Sequence, residues 1–124
     1  MYLLIDNSLD DKVIIHYCLD TDWIQCEFDK NDQGLLVTVN QVLSNVDKQL
    51  SDLRGLAVIV GRGKFTATRI AVTLANTLSY ALQIPVLAVD NWFENIQKNI
   101  QASPVGQYVS AQYSAPANIG GGKQ

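Results

Sequence analysis

The sequence predicts a single α/β domain on a mixed sheet of about five strands, with elements in the order βββαβαβα. Three observations carry this. An apolar first run, Tyr2-Leu3-Leu4-Ile5, is followed by two alternating segments. Apolar residues then recur at helical spacing over two long stretches. Each stretch leads into a short run that is apolar on both faces, as a parallel strand covered on each side requires.

The elements follow in order. After Tyr2 to Ile5, residues 6–12 are polar and turn-like. Val13, Ile15, Tyr17 and Leu19 then share one face of a second strand, and Ile24, Cys26 and Phe28 one face of a third. Period-two patterns separated by Asp20-Thr21-Asp22 predict an antiparallel meander. Leu35, Leu36, Val39, Val42, Leu43, Val46 and Leu50 form one helical stripe, with Asn31 or Asp32 able to cap it. Leu56 to Val60 is a covered strand. A second helix is expected from about Thr66 to Leu82, until Pro85 bars further helix, and Val86 to Val89 is another covered strand. Asn91-Trp92-Phe93-Glu94 reads as a capping box opening a last helix to about Gln101.

Domain 1–102 is therefore expected to be followed by a tail, 103–124. That tail holds four of the eight glycines, two of the three prolines and one charge, Lys123. Such a composition buries too little to order itself. Alternation over Val105 to Tyr113 leaves an additional edge strand open.

With 124 residues the chain has room for a modest core. Net charge is −3, and the nine Lys and Arg are scattered, which argues against direct gripping of nucleic acid. No run approaches the length of a membrane span, and the amino terminus does not read as a secretory leader. Cys18 and Cys26 are expected as free, buried thiols. With one histidine, His16, and no paired-cysteine motif, a zinc site is not expected. His16 points off the Val13/Ile15/Tyr17 face and is read as structural.

Residues 57–71 are the most informative stretch: strand, glycine turn, then a helix with small early residues. Gly61-Arg62-Gly63-Lys64-Phe65-Thr66 is not a P-loop, since one residue separates the glycines where a P-loop has four before its Gly-Lys pair. Nor is it a dinucleotide fingerprint, because Thr66 stands at the third glycine position. Two readings remain. An anion could sit at the helix start near Lys64 and Arg62. The plainer reading is a tight turn with Thr66 as cap and Phe65 as a plug. On the helix, Ala67, Ala71 and Ala75 make a small-residue row beside Ile70, Leu74 and Leu78; one row faces the sheet, and the other either packs within the domain or forms an interface. Arg69 opposes the helix dipole, and a local carboxylate is expected beside it.

These residues resemble a family signature. The bacterial TsaB (YeaZ) proteins carry Gly-x-Gly-Pro-Gly-Ser-Phe-Thr-Gly-x-Arg-Ile-Gly between a strand and a helix. Gly61, Gly63, Phe65, Thr66, Arg69 and Ile70 match it, whereas Arg62, Lys64, Ala67 and Ala71 depart. Leu3 to Ser8, Leu50 to Ala57 and Ile84 to Val89 fit three further family segments in register. The family usually continues into a second domain of similar size; over these residues the amino-terminal domain alone is expected.

The resemblance implies a ribonuclease-H-like domain, the half-unit of the actin-like ATPases. It also implies a non-catalytic role in making threonylcarbamoyladenosine on transfer RNA. Partners would be a TsaD-like catalytic subunit and a TsaE-like ATPase, with tRNA met only indirectly. Docking would use Leu36, Asn40, Ala67, Ile70, Ala71, Leu74 and Ala75, and the chain alone would form a homodimer in the cytoplasm. No cofactor is expected on this chain alone; ATP or ADP with magnesium would need an interface shared with another chain. Asp6, Gly61, Gly63, Lys64 and Thr66 are the candidate phosphate contacts. In actin-like ATPases the position of Asp6 orients metal-bound water, although Asp6 and Ser8 also read as satisfying turn amides. Metal-binding histidines of catalytic relatives have no counterpart around Asp32-Gln33-Gly34. Two alternatives stay open: a small nucleotide-binding or phosphotransfer half-unit using Asp6, Lys64 and Thr66, and a relative serving another actin-like partner.

Overall fold

The structure is a computed structural model that describes residues 1–30 and 33–110. Five strands form one sheet: β1 (Tyr2–Asp6), β2 (Lys12–Cys18), β3 (Trp23–Asp29), β4 (Gly55–Ile59) and β5 (Val86–Val89). Their spatial order is β3-β2-β1-β4-β5. β1–β2 and β2–β3 pair antiparallel, while β1–β4 and β4–β5 pair parallel. The helices are α1 (Leu35–Asn45), α2 (Phe65–Leu82) and α3 (Ile96–Ala102), so the expected element order is found.

Side-chain alternation divides the core between the two faces. Leu3, Ile5, Val13, Ile15, Leu56 and Val58 meet Val39, Val42, Leu43, Ala71, Val72 and Ala75 of α1 and α2. Leu4, Ala57 and Ile59 meet Ile96 and Ile100 of α3 on the other face. A fully buried aliphatic side chain contributes about 1.5–3 kcal/mol by leaving water, and β1 and β4 are buried on both faces. Gly55 lets α3 approach β4, since a Cβ there would collide with Ile100.

Several ends differ from expectation for local reasons. The apolar stripe of α1 continues to Leu50, but the helix stops at Asn45 because Asp47 turns left-handed at φ 58°. The Lys48 and Asp47 amides then donate to the Leu43 and Ser44 carbonyls, a Schellman closure with Asp in the usual glycine position. A 3-10 turn covers Leu50–Asp52. Gly34 holds the first cap position without a side-chain bond, and Asn31 and Asp32 lie outside the described residues. The predicted capping box at Asn91–Glu94 does not form. Asn91 accepts from the Trp92 amide at 2.9 Å, and α3 starts four residues on, with Asn95 at φ 66°.

Cys18 is buried and Cys26 half-buried, and both are free thiols. Burial pushes the Cys18 thiol pKa up. No strand occurs over 105–110, and the rest of that segment and the glycine-rich ending lie outside the described residues.

Candidate functional site: a closed glycine turn and an open helical groove

The turn between β4 and α2 is built by two glycines with positive φ, Gly61 at 83° and Gly63 at 82°, on either side of Arg62. That backbone turns Arg62 back toward the end of β1. Its Nη2 donates to Asp6 Oδ2 at 3.0 Å, while the amide and the hydroxyl of Ser8 donate to Asp6 Oδ1. The Asp6 carboxylate is thus buried, and both of its oxygens accept from groups of this chain. Asn7 is also buried, and its Nδ2 donates to the Ala67 carbonyl at 3.0 Å, stitching the β1–β2 turn to the start of α2. Gly63 lies directly on that turn: a Cβ would come within 2.5 Å of the Ser8 carbonyl oxygen.

The turn reading of Asp6 and Ser8 is therefore found in the geometry. Lys64 pairs with Asp10 at 3.4 Å between two well-exposed side chains, a contact worth about 0–1 kcal/mol. The predicted cap at Thr66 is corrected: Lys64 occupies the cap position, without a side-chain bond, and Thr66 lies inside the helix. Thr68, which the sequence reading overlooked, is buried; its hydroxyl donates to the Arg62 carbonyl at 3.1 Å and fixes the loop. Asn7 was overlooked as well; a single amide side chain in a polar turn announces nothing about a partner 60 residues away.

His16 lies on the α3 face, as its strand parity predicts, and stacks on Trp92 with ring centroids 6.2 Å apart and planes 13° from parallel. Burial lowers its pKa below the ordinary 6.5, against an opposing upward pull from Asp6. His16, Asp6, Arg62, Asn91 and Trp92 line a cavity of about 380 Å³. Among the described residues, no group of three His, Cys, Asp or Glu side chains could hold a metal.

The larger concavity lies elsewhere, between α1 and α2. One lobe of about 530 Å³ is lined by Leu35, Leu36, Phe65, Ile70, Leu74 and neighbouring threonines. A second lobe of about 430 Å³ shares Leu35, Phe65, Thr66 and Ile70 and reaches Asn7 and Lys30. Of the lining residues, Leu36, Phe65 and Ile70 are 42–52% exposed, an apolar density unusual for a surface facing only water. Phe65 is thus no plug, and Arg69 lies over its ring, 5.6 Å from the centroid, with no carboxylate paired to it among the described residues.

The structure sorts the seven predicted interface residues. Leu36, Asn40 and Ile70 are exposed, and Ala67 and Leu74 half-buried. Ala71 and Ala75 are corrected: both are 0% exposed, turned onto the sheet, where they let α2 approach β4 closely. Of the other row, Ile70 is exposed, Leu74 half-buried and Leu78 buried, so only its first turn faces outward.

A mixed sheet in the order 3-2-1-4-5, with two helices on one face and one on the other, defines a ribonuclease-H-like domain of the actin-like ATPase kind. YeaZ from Pseudomonas aeruginosa superposes with a TM-score of 0.64 at 29% identity, over 73% of this chain and 44% of that one. A P. aeruginosa structure described as an uncharacterized protein with similarity to peptidase YeaZ gives the same score and identity, over 43% of its length. A family model described as TsaD, tRNA N6-adenosine threonylcarbamoyltransferase, matches residues 30–115. The chain belongs to this family, on its TsaB (YeaZ) side. The tRNA threonylcarbamoyladenosine biosynthesis protein TsaB of Bacillus subtilis (strain 168) is 42% identical over 53 residues, 43% of this chain and 23% of its own length. TsaB of Buchnera aphidicola subsp. Schizaphis graminum is 33% identical over 89 residues, 70% of this chain and 42% of its own. The chain spans less than half the length of these relatives.

Proposed function

We propose that this domain is a docking subunit in the synthesis of threonylcarbamoyladenosine on tRNA, and that it binds a TsaD-like catalytic partner across the groove between α1 and α2. The observation that carries the reading is that groove: two joined apolar lobes with Leu36, Phe65 and Ile70 half-exposed around them. A helix of a partner fits such a surface, with anchors spaced three and four residues apart. Leu36, Ile70 and Leu74 are the apolar contacts, with Asn40 and Ala67 at the margin. The curated relatives are named for this biosynthesis, which supports the pathway.

The same surface drives concentration-dependent self-association when the partner is absent. The chain works in the cytoplasm and meets tRNA only through its partners, a TsaE-like ATPase among them. It is not itself an enzyme. A nucleotide-binding half-unit has weaker support, because Asp6 is taken by Arg62 and Ser8 and Lys64 faces Asp10. Any ATP or ADP with magnesium would then lie at an interface shared with another chain.

Light scattering on size exclusion, with and without the TsaD-like protein of the same source, tests the reading. A homodimer that gives way to a heterodimer is expected. A chain that stays monomeric at every concentration and ignores the partner overturns it.

A further inference from the structure

The helices that wall the groove are almost without charge. α1, 11 residues long, carries no charged side chain, and α2, 18 residues long, carries one, Arg69, in a chain that is 17% charged. Their polar positions are filled by Thr, Asn, Gln, Ser and Tyr. A helix face that meets only water usually carries charged residues. Depletion of charge around retained arginine and aromatic side chains is instead the composition found at the centre of protein interfaces. Arg69 is exposed, lines the larger lobe, and lies over the half-exposed Phe65 ring. Contact with a ring face consumes none of the N–H donors of a guanidinium, which remain able to grip a carboxylate in the bidentate manner.

We infer that Arg69 selects the occupant of the groove, and that this occupant is a partner helix bearing a carboxylate beside its apolar anchors. The inference rests on the docking reading and adds the chemistry of the partner. Charge complementarity carries it. No lining residue of either lobe is acidic, while Arg69, Lys30 and Lys64 are basic. Lys64 is met by Asp10 at 3.4 Å, and Lys30 Nζ donates to the Asn7 carbonyl at 3.3 Å. Arg69 has no such anion among the described residues. An apolar cover strips water from the guanidinium, which is costly unless the cover brings an anion of its own. Neither α1 nor α2 of a second copy could bring one, since both helices lack acidic residues. Self-association through these helices therefore leaves the guanidinium of each copy unpaired, and an acidic partner helix displaces it.

Two synthetic helical peptides test the chemistry, both with leucines spaced three and four residues apart. One carries glutamate and the other lysine at the flanking positions, and each is titrated into the full chain at low salt by fluorescence anisotropy. The glutamate peptide should bind about tenfold tighter or more, and Arg69→Gln should remove most of that difference. Equal affinities, a preference for the lysine peptide, a preference that survives in Arg69→Gln, or binding of neither overturns the proposal. A second measurement separates recognition from mere structure. Arg69→Gln should bind the TsaD-like protein about tenfold more weakly, yet its self-association should not weaken, because an unpaired cation has been removed. Parallel loss of both would make Arg69 structural and overturn the proposal. A glutamate peptide that binds with the expected preference, beside a TsaD-like protein that does not bind, would remove only the docking reading. A TsaD-like protein that binds wild type and Arg69→Gln alike would remove only the role of Arg69.

Discussion

Replacing Gly63 by Ala tests whether the glycine turn is closed on the chain itself. Two costs add. A residue with a Cβ held at φ 82° loses about 1–2 kcal/mol to backbone sterics, partly offset by about 0.4–1 kcal/mol through the stiffer unfolded chain. The new Cβ would also lie 2.5, 2.7 and 2.8 Å from the oxygen, Cα and Cβ of Ser8, where about 3.5 Å is needed. Forcing the two turns apart by about 1 Å is an overpacking cost of about 1–3 kcal/mol. The same seam holds the Asp6–Arg62 pair and the Asn7–Ala67 bond, and weakening either adds about 1 kcal/mol. Gly106→Ala is the control, because it shares the positive φ, 89°, but meets nothing within 4 Å. Gly63→Ala should therefore cost about 2–4 kcal/mol more than the control. In urea unfolding, with a slope of about 2 kcal/mol per molar, that difference lowers the midpoint by about 1–2 M. Equal midpoints for the two variants would refute the closed turn, and the glycine would then serve a ligand.

Further outcomes follow from burial and charge. Ala71→Arg should unfold the domain, losing several kcal/mol because a charge replaces a fully buried methyl, and circular dichroism would show it; a folded, monomeric variant would mean that Ala71 faces outward after all. Leu43→Ala, in the core under α1, should cost about 2–5 kcal/mol by chemical denaturation. Stability should fall as pH drops from about 6.5 through the lowered folded-state pKa of His16, because the unfolded chain binds the proton more readily, and should level off below it. His16→Gln should flatten that part of the profile, and an unchanged slope would place its origin in another group.

Much of the fold was legible because its signals are local. Period two in β2 and β3 and the double-sided apolar runs of β1 and β4 are each contained in a few residues. The site was legible only in part. Spacing exposed the glycine pair, but not that Arg62 would meet Asp6, 56 residues away. Helical periodicity separated the alanine row from the Ile70 row without fixing which faces the sheet, since that phase is set by tertiary packing. Asn91 to Glu94 satisfied the capping pattern, yet Trp92 stacks on His16 and the backbone bends instead. The Gly- and Pro-rich composition after α3 concealed the two hydrogen bonds by which the Asn76 side chain holds the Val109 backbone, a contact that needs only one amide and no apolar run.

Calorimetric titration of this chain with the TsaD-like protein, as wild type and as Ile70→Arg, tests the central claim most directly. Ile70 is half-exposed in the groove, so the substitution should leave unfolding midpoints unchanged. The account predicts that the wild-type chain binds and that Ile70→Arg loses about 2 kcal/mol or more, roughly thirtyfold in affinity. A wild-type chain that does not bind, or an Ile70→Arg variant that binds equally well, would contradict it.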